Sequence, residues 1–507
     1  MFVTDVLTGK SCGVNRRRRQ RGRSLESFMA QALESRLVLA GNVIATFSLA
    51  SGQLTFTGDA ANNEITINVD GVGDAIATGN GGTTINGMAS LNISDFTMDV
   101  LSSVVVNGGD GADVTNLSTA VNSIFFPGPV TINGNNGNDT VNVGSANGQS
   151  VSFGSLTITG GNDNDVISFA SALFVASPVV LQGNAGNDTY SFDTDNSLGS
   201  VLIQENVGAG IDTLTFSKTS TRAVAVNLSS AAAQVVNAGL TLTLSAGNTF
   251  ENVIGGTLGD ALTGNGLANT LTGNKGNDLL TGAAGNDTYV FDTDLALGSD
   301  TINEAGGGVD TLNFSTTTTR AVSVNLSNAA AQVVNTGLTL TLSANNTIEN
   351  VIGGSLGDTL TGNTLANVLA GGAGDDNLNG GTGKDILIGG IGADLLTGGS
   401  GENLLLGARY TSEANATALI ALRSEWTSAS SYSNRVAHLR GTLAGGFNGS
   451  YKLTSATVKE DNAKDTLKGS SGKDWYLRNR LGATVANRDA VTDVDLDSVF
   501  TEISSWL

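Results

Sequence analysis

Acidic and amide side chains recur at a fixed spacing between Gly353 and Leu406, where six consecutive nine-residue units follow one template. Each unit begins with glycine, carries Asp or Asn at its sixth position and carries Leu at its eighth position. The sixth positions are Asp358, Asn367, Asp376, Asp385, Asp394 and Asn403, and the eighth positions are Leu360, Leu369, Leu378, Leu387, Leu396 and Leu405. A nine-residue period that keeps three positions in phase is typical of a solenoid.

The chemistry that this template offers is cation binding by oxygen. Stacked coils bring equivalent positions to about 4.8 Å from each other, and two carboxylates at that spacing repel by roughly 1 kcal/mol even in water. A ladder of aspartates therefore needs a cation between its rungs. Ca²⁺ suits such a ladder because it takes roughly six to eight oxygen ligands and accepts carboxylates together with backbone carbonyls.

The elements that must position these ligands are tight turns and short strands. Glycine reaches the positive φ values of a tight turn without steric cost, and the apolar-centred residues around each leucine predict a strand. A second block, from Gly255 to Val290, has four units of the same kind. The candidate calcium ligands are Asp260, Asp278, Asp287, Asp358, Asp376, Asp385 and Asp394, with the turn glycines Gly353, Gly371, Gly374, Gly380, Gly383, Gly389 and Gly392.

The two blocks resemble the RTX, or haemolysin-type calcium-binding, repeat family, whose fold is the parallel β-roll. In that family two nonapeptides make one coil, so the resemblance implies that units two apart share an edge. The implied edges of the second block are Asp358, Asp376 and Asp394 on one side, and Asn367, Asp385 and Asn403 on the other. The first edge matches the family pattern fully. The second departs from it at two rungs, and an asparagine ladder hydrogen-bonds to itself without an ion.

An internal duplication and changes in composition divide the chain. GNAGNDTYSFDTD at Gly183 returns as GAAGNDTYVFDTD at Gly282, a shift of about 98 residues that continues through the module. We predict an export segment (1–40), a strand-rich solenoid-like region (41–182), a first repeat module (183–281), a second repeat module with the six-unit roll (282–406), and a C-terminal helical segment with a degenerate roll or cap (407–507).

Residues 41–182 alternate apolar and polar side chains in short runs broken by Gly, Asn and Asp, which predicts many short strands. Degenerate turn motifs surround Asp113, Asp139 and Asp165 at a spacing of about 26 residues, which indicates longer coils of the same kind. Each of these acids is a possible metal ligand, but isolated turn aspartates more often simply form turns. Calcium or sugar binding in this region stays open.

The C-terminal region changes pattern after Leu406. Helical spacing of Ala418, Leu419, Leu422 and Trp426 predicts one helix, and YSNRVAHLRGTLAGG predicts a second helix that ends before glycines. The nine-residue pattern then returns twice, with Asp465 and Asp474 at sixth positions. Basic residues gather here, and we expect them to form a solvated face; they are Arg435, Arg440, Lys464, Lys468, Lys473, Arg478 and Arg480. The predicted fold class is all-β, a parallel β-roll or β-helix solenoid with one or two C-terminal helices.

Composition and the N-terminal segment indicate where the protein acts. The net charge of −21, from 46 acidic and 25 basic residues, argues against nucleic-acid binding. One cysteine allows no internal disulfide, and no apolar run is long enough for a membrane-spanning helix. Six arginines between Arg16 and Arg23, followed by LESFMAQALESRLVLAG, resemble the export segment of large bacterial surface proteins. This resemblance predicts a secreted or cell-surface location.

Two classes of function remain open at the sequence level. The chain has one histidine, His438, and it has no HExxH zinc motif. The favoured interpretation is a non-enzymatic, calcium-binding extracellular protein with a structural or adhesive role. Its expected partners are calcium ions and a cell-surface polysaccharide or another surface protein. The alternative is a β-helical polysaccharide-acting enzyme, such as a lyase, a glycosidase or an epimerase-like protein, that carries RTX modules.

Overall fold

Short parallel strands that stack into a solenoid build most of the chain. The computed structural model describes residues 41–48, 50–69, 75–93, 102–117, 124–144, 151–170, 173–175, 178–304, 306–461, 463–478, 488–493 and 499–502. The predicted export segment, residues 1–40, lies outside the described residues. Within those residues the fold is all-β apart from two helices, which confirms the predicted fold class.

The strands of the N-terminal part are β1 (Asn42–Ser48), β2 (Gln53–Thr57), β3 (Glu64–Val69), β4 (Ala75–Gly79), β5 (Thr84–Ile85), β6 (Ser90–Asn92), β7 (Ser103–Asp110), β8 (Val114–Leu117), β9 (Ile124–Asn136), β10 (Thr140–Val143), β11 (Val151–Asn162), β12 (Val166–Phe169), β13 (Leu173–Val175), β14 (Val179–Ala185) and β15 (Thr189–Phe192). The longest of them, β9 with 13 residues and β11 with 12 residues, exceed every later strand of the described chain.

The first repeat module and its block contain β16 (Gly199–Ile203), β17 (Thr213–Thr215), β18 (Ala225–Asn227), β19 (Gln234–Asn237), β20 (Leu240–Leu244), β21 (Asn252–Ile254), β22 (Ala261–Thr263), β23 (Thr270–Thr272), β24 (Leu279–Thr281), β25 (Thr288–Val290) and β26 (Gly298–Ile302). Most of the nonapeptide strands are three residues long, because only the residues around each eighth position leave the turn.

The second module and the C-terminal region contain β27 (Thr311–Asn313), β28 (Ser323–Asn325), β29 (Gln332–Asn335), β30 (Leu338–Leu342), β31 (Asn350–Ile352), β32 (Thr359–Thr361), β33 (Val368–Ala373), β34 (Asn377–Asn379), β35 (Ile386–Ile391), β36 (Leu395–Thr397), β37 (Leu404–Leu406), β38 (Arg409–Tyr410), β39 (Val458–Lys459), β40 (Thr466–Lys468), β41 (Trp475–Arg478), β42 (Ala490–Asp493) and β43 (Val499–Glu502). The helices are α1 (Ala416–Trp426) and α2 (Tyr432–Leu439). Within the described ranges, no helix has the length and apolar character needed to cross a membrane.

One face of the solenoid is a single parallel sheet that continues from coil to coil. Its strands pair in the order β3, β8, β10, β12, β15, β17, β21, β23, β25, β27, β31, β33, β35, β37, β41 and β43. The antiparallel strands β4 and β6 extend it at its N-terminal end. We call it the long sheet.

The opposite face is divided into three sheets. The first contains β1, β2, β5, β7, β9, β11, β13, β14, β16, β19 and β20. The second has the order β18, β22, β24, β26, β30, β29, and the third has the order β28, β32, β34, β36, β40, β42. The hairpins β19–β20 and β29–β30 are antiparallel and close the first and second sheets. Each duplicated segment therefore ends one sheet and begins the next.

The apolar core lies between the two faces. The leucines at the eighth positions of both nonapeptide blocks are fully buried there. Aromatic side chains stack along the axis in neighbouring coils, as Phe169, Phe192 and Phe216 do at centroid distances of 5.6 and 5.8 Å. Period-two patterning explains this arrangement, because alternate residues of a strand point to opposite faces.

The helices cover the outer face of the long sheet. Strand β37 pairs directly with β41, so the intervening chain leaves the solenoid and returns to it. Outward-facing Val368, Ile386 and Leu404 form a second apolar core with Leu419 and other helical residues. Helix α1 begins where the Asn415 side chain accepts a hydrogen bond from the Ala418 N–H, a normal N-cap. The predicted helices and the return of the roll are both present.

The expectation of a solvated basic face was wrong for Arg435. This side chain is buried, forms an ion pair with Glu402, and lies 4.9 Å from the Trp426 ring centroid. The lone histidine, His438, is buried beside Glu425, with 2.7 Å between Nδ1 and Oε1. Both side chains fix α2 against the rest of the C-terminal segment, and helical spacing alone did not reveal this role.

The core predicts a strong difference between neighbouring leucines. Replacing Leu387, which is 0% exposed, with Ala removes core contacts and should destabilise the fold by about 2–5 kcal/mol. Leu395, which is 41% exposed, is the matched control, and Leu395→Ala should change stability by less than about 0.5 kcal/mol. Denaturant unfolding in saturating calcium measures both, and equal losses would contradict the described burial.

Candidate metal centre

Asp358, Asp376 and Asp394 stack on one edge of the solenoid, 18 residues apart. The Asp358 N–H donates to Oδ1 of Asp376 over 2.6 Å, and the Asp376 N–H donates to Oδ1 of Asp394 over 2.9 Å. The same contact continues past the second block, since the Asp394 N–H donates to Oδ1 of Asp465. One oxygen of each carboxylate therefore joins its coil to the preceding coil. We call this the aspartate edge.

The opposite edge of the second block alternates amides and acids. The Asn367 N–H donates to Oδ1 of Asp385 over 2.8 Å, and the Asp385 N–H donates to Oδ1 of Asn403 over 3.0 Å. The Asn367 amide also donates to the backbone carbonyl of Glu349 over 2.9 Å. Because Oδ1 of Asn367 accepts the Asn363 N–H over 2.8 Å, Asn367 is hydrogen-bonded as both donor and acceptor without an ion, and Asp385 is the charged rung between two amides. We call this the mixed edge.

The second carboxylate oxygen is the unusual feature of these ladders. Within the described part of the chain, five candidate ligands have a buried Oδ2 atom with no hydrogen-bond partner, namely Asp278, Asp287, Asp376, Asp385 and Asp394. Leaving one such charged group buried and unsatisfied costs several kcal/mol, on the order of 3–5. A cation beside these oxygens would remove that cost.

The first aspartate of each block differs from the others. Oδ2 of Asp260 accepts a hydrogen bond from the Gly256 N–H, and Oδ2 of Asp358 accepts one from the Gly354 N–H, both over 2.6 Å. Their own turns therefore satisfy these two carboxylates. The sequence does not distinguish Asp260 and Asp358 from the other candidate calcium ligands, because all of them hold the sixth position of the same template.

The turn glycines fall into two kinds. Gly374, Gly383 and Gly392 have φ values of +107°, +137° and +136°, a conformation that glycine adopts without strain. Gly371 opens its unit and does not need positive φ, but a Cβ there would clash with Oδ2 of Asp376 and lie 2.6 Å from the Gly389 carbonyl oxygen. The other opening glycines, Gly353, Gly380 and Gly389, face their own aspartates in the same way.

Burial changes the acidity of the ladder. Desolvation raises the pKa of Asp376 to about 9, with further repulsion from Asp394 and Asp358, and raises the pKa of Asp385 to about 8. The pKa of Asp358, whose two oxygens accept backbone N–H groups, rises only to about 6. Bound Ca²⁺ would reverse these shifts, since a nearby divalent cation favours the ionised carboxylate.

The donor set of these edges fits calcium. The candidate ligands are carboxylate oxygens and backbone carbonyls of glycine turns, which are the groups that Ca²⁺ prefers. Asp376, Asp385 and Asp394 would hold the ion through Oδ2, the oxygen that the backbone does not use. In the first block Asp278 lies on a ladder with Asp260, and Asp287 lies on the opposite edge, where it accepts the Asn269 N–H.

The ladders extend beyond the nonapeptides. Asp113, Asp139 and Asp165 each donate a backbone N–H to the next acid along the axis, at steps of 26, 26 and 23 residues. The Oδ2 atoms of all three are buried without a partner among the described residues. Burial raises their pKa values to about 6, 7 and 8. They have the geometry of the nonapeptide acids, although their coils are longer.

The repeat periods do not predict several ladder residues, because segments of variable length separate these residues from the neighbouring rungs. Asp212 and Asp310 donate their N–H groups to Oε2 of Glu251 and Glu349, each over 2.8 Å. Asp300 accepts the Asp278 N–H over 3.0 Å. The duplicated strings GIDTL/GVDTL and ENVIGG could have identified four of these residues, since each acid directly precedes a strand of the long sheet. The four are Asp212, Asp310, Glu251 and Glu349.

Comparison with known proteins supports the repeat assignment. The family model of the RTX calcium-binding nonapeptide repeat (4 copies) matches residues 127–149, 178–198, 254–293, 352–387 and 379–409. These matches include both nonapeptide blocks and two stretches, around Asp139 and Asp188, in which the coils are longer. No curated protein matches the chain.

The raised pKa values predict a pH dependence that calcium cancels. Without calcium, the folded chain holds protons that the unfolded chain has released, so the free energy of unfolding falls as the pH rises from about 4 to about 9. Excess calcium binds the ionised carboxylates and should remove most of this fall. Thermal melts across this pH range, in chelator and in calcium, measure the effect. Parallel curves in the two conditions would contradict it.

Proposed function

The chain carries RTX calcium-binding nonapeptide repeats, and from this premise we propose that it is an extracellular, non-enzymatic protein whose solenoid is stabilised by bound calcium. The observation that carries the proposal is the stack of buried Oδ2 atoms that face turn glycines, exemplified by Asp376 and Gly371. Ca²⁺ would supply positive charge between carboxylates that otherwise repel one another.

The usual affinity of such sites supports a proposed location outside the cell. Extracellular calcium modules typically bind with Kd values of about 10⁻⁴–10⁻³ M, a range in which the sites fill outside cells. The resemblance of residues 1–40 to a bacterial export segment supports the same location. With one cysteine and no internal disulfide, an exported chain gains from another source of stability. We therefore propose a secreted or cell-surface protein.

A structural or adhesive role suits an elongated array of modules better than catalysis does. In residues 41–182, the ladder acids Asp113, Asp139 and Asp165 accept backbone N–H groups from the neighbouring coil. These hydrogen bonds give the acids a structural role as rungs of a ladder between coils. The proposed partners are calcium ions and a cell-surface polysaccharide or another surface protein, and the proposed modules are residues 41–182, 183–281, 282–406 and 407–507.

A calcium titration of the full chain tests the proposal. We expect several sites with Kd values of about 10⁻⁴–10⁻³ M, and each site should add about 1.4 kcal/mol of stability when free calcium is tenfold above its Kd. Calorimetry gives the number of sites, and circular dichroism follows the gain of β-structure. A chain that binds no calcium, or whose stability does not change with calcium, would overturn the proposal.

The two edges of the second block should bind unequally. Asp376 stands between two other carboxylates on the aspartate edge, whereas Asp385 stands between two amides. Asp376→Asn should therefore cost more bound calcium than Asp385→Asn. Asp375→Asn is the matched control, because Asp375 lies in the same turn with an exposed side chain. Calorimetry of the three variants measures the difference, and equal losses at Asp376 and Asp385 would be inconsistent with unequal edges.

A further inference from the structure

Three acids meet at the junction between the first block and the second module. The carboxylate oxygens of Asp287, Glu304 and Asp310 include a set that lies within 4.8 Å of one another. The residues are 0%, 2% and 1% exposed. Glu304 and Asp310 belong to the connection between β26 and β27, which does not follow the nonapeptide template. Only Asp287 could be named as a ligand from that template.

Two oxygens of this cluster are unsatisfied. Oδ1 of Asp287 accepts the Asn269 N–H, and one oxygen of Glu304 accepts the Tyr289 hydroxyl. Oδ2 of Asp287 and Oε1 of Glu304 are buried and have no hydrogen-bond partner in the described part of the chain. Each carboxylate is thus anchored through one oxygen and keeps the other for a ligand.

The surroundings leave room for that ligand. A Cβ on Gly282 would clash with Oδ2 of Asp287 and would lie 2.5 Å from Oε2 of Glu304 and 2.6 Å from the Tyr289 hydroxyl. The partnerless oxygen of Asp287 and Oε2 of Glu304, the oxygen that accepts the Tyr289 hydroxyl, are therefore directed at the same point above Gly282. Glycine at this position keeps the point free of side-chain atoms.

The protein itself supplies little positive charge at this cluster. Arg423 from α1 interacts electrostatically with Asp310, but its Nε atom donates to the Ala366 carbonyl oxygen over 2.7 Å. Among the described residues, none of the three carboxylates forms a salt bridge. Burial raises the pKa values of Asp287 and Asp310 to about 7 and about 8. Three carboxylates that are close together and buried need either protons or a cation.

We propose that Asp287, Glu304 and Asp310 form a divalent-cation site, suited to Ca²⁺, that ties the connection after β26 to the last coil of the first block. This site rests on the proposed function and deepens it, because it places a calcium ligand outside the nonapeptide template. The donors are all oxygen, with no imidazole or thiolate, which favours a hard cation such as Ca²⁺ over zinc or copper.

The first module contains the corresponding residues. The Tyr190 hydroxyl donates to Glu205, and the Asp188 N–H donates to Oδ1 of Asp212 over 2.8 Å, as Asp287 does to Asp310. Oδ2 of Asp188 and Oε2 of Glu205 are again buried without a partner in the described chain. Among described residues, the 4.8 Å grouping is met only by the second copy. The site at Glu304 should therefore bind more tightly than the one at Glu205.

Terbium luminescence and calcium calorimetry on the full chain test the site. Tyr289 touches Glu304 and would sensitise Tb³⁺ bound there. Glu304→Gln keeps the size of the side chain and an acceptor for Tyr289 but removes the charge, and it should lose one equivalent of bound calcium together with part of the sensitised emission. Asp292→Asn, five residues beyond Asp287 and outside the cluster, is the control and should change neither.

A second variant covers the case in which Glu304→Gln does not fold. Tyr289→Phe leaves all three carboxylates in place, so it should keep the calcium stoichiometry and lower the terbium emission. Unchanged stoichiometry in folded Glu304→Gln, or unchanged emission in Tyr289→Phe, would overturn the site while leaving the proposed function intact. A parent chain that binds neither calcium nor terbium would overturn both.

Discussion

Stability of this solenoid depends on how it buries carboxylates. In many coils of the described chain, one carboxylate oxygen accepts a backbone N–H from the neighbouring coil and the other is buried without a partner, as at Asp376 and Asp394. The hydrogen bond to the first oxygen fixes the register in which the coils stack. The buried second oxygen destabilises the stacked coils until a cation is present. A slip by one residue would also turn the eighth-position leucines outward. The charge ladder and the apolar core therefore select the same alignment of coils.

Glycine makes this arrangement possible and also makes it weak. The 68 glycines give the unfolded chain a large conformational entropy, while three-residue strands such as β34 and β36 bury little surface in return. Two devices offset this weakness in the second block. The helices cover the outer face of the long sheet with a second apolar core, and the edges offer oxygens that a divalent cation would join.

The regular part of the molecule could be predicted from sequence, because one period fixes the turn, the ligand and the core residue together. Asp376 and Leu378 lie where the nine-residue template placed them, and Asp139 lies where the 26-residue spacing suggested a coil. Glu304 could not be found, since its connection has a length that no period fixes. Arg435 was assigned to a solvated face because its burial depends on which face the helices cover, and helical spacing does not encode that.

The long sheet shows how such a fold accepts insertions. Strands β17 and β21, β27 and β31, and β37 and β41 pair directly although a long segment separates each pair. Parallel stacking permits these insertions because each strand pairs only with the equivalent strand of the next coil, so a segment of any length can lie between the two strands. At the first two insertions the ladder resumes with Glu251 and Glu349 in place of Asp, and both accept the backbone N–H of the preceding rung. Glutamate is one methylene group longer than aspartate, so its carboxylate reaches the preceding rung where the chain returns from a hairpin. The edge therefore stays continuous while the opposite face passes from one sheet to the next.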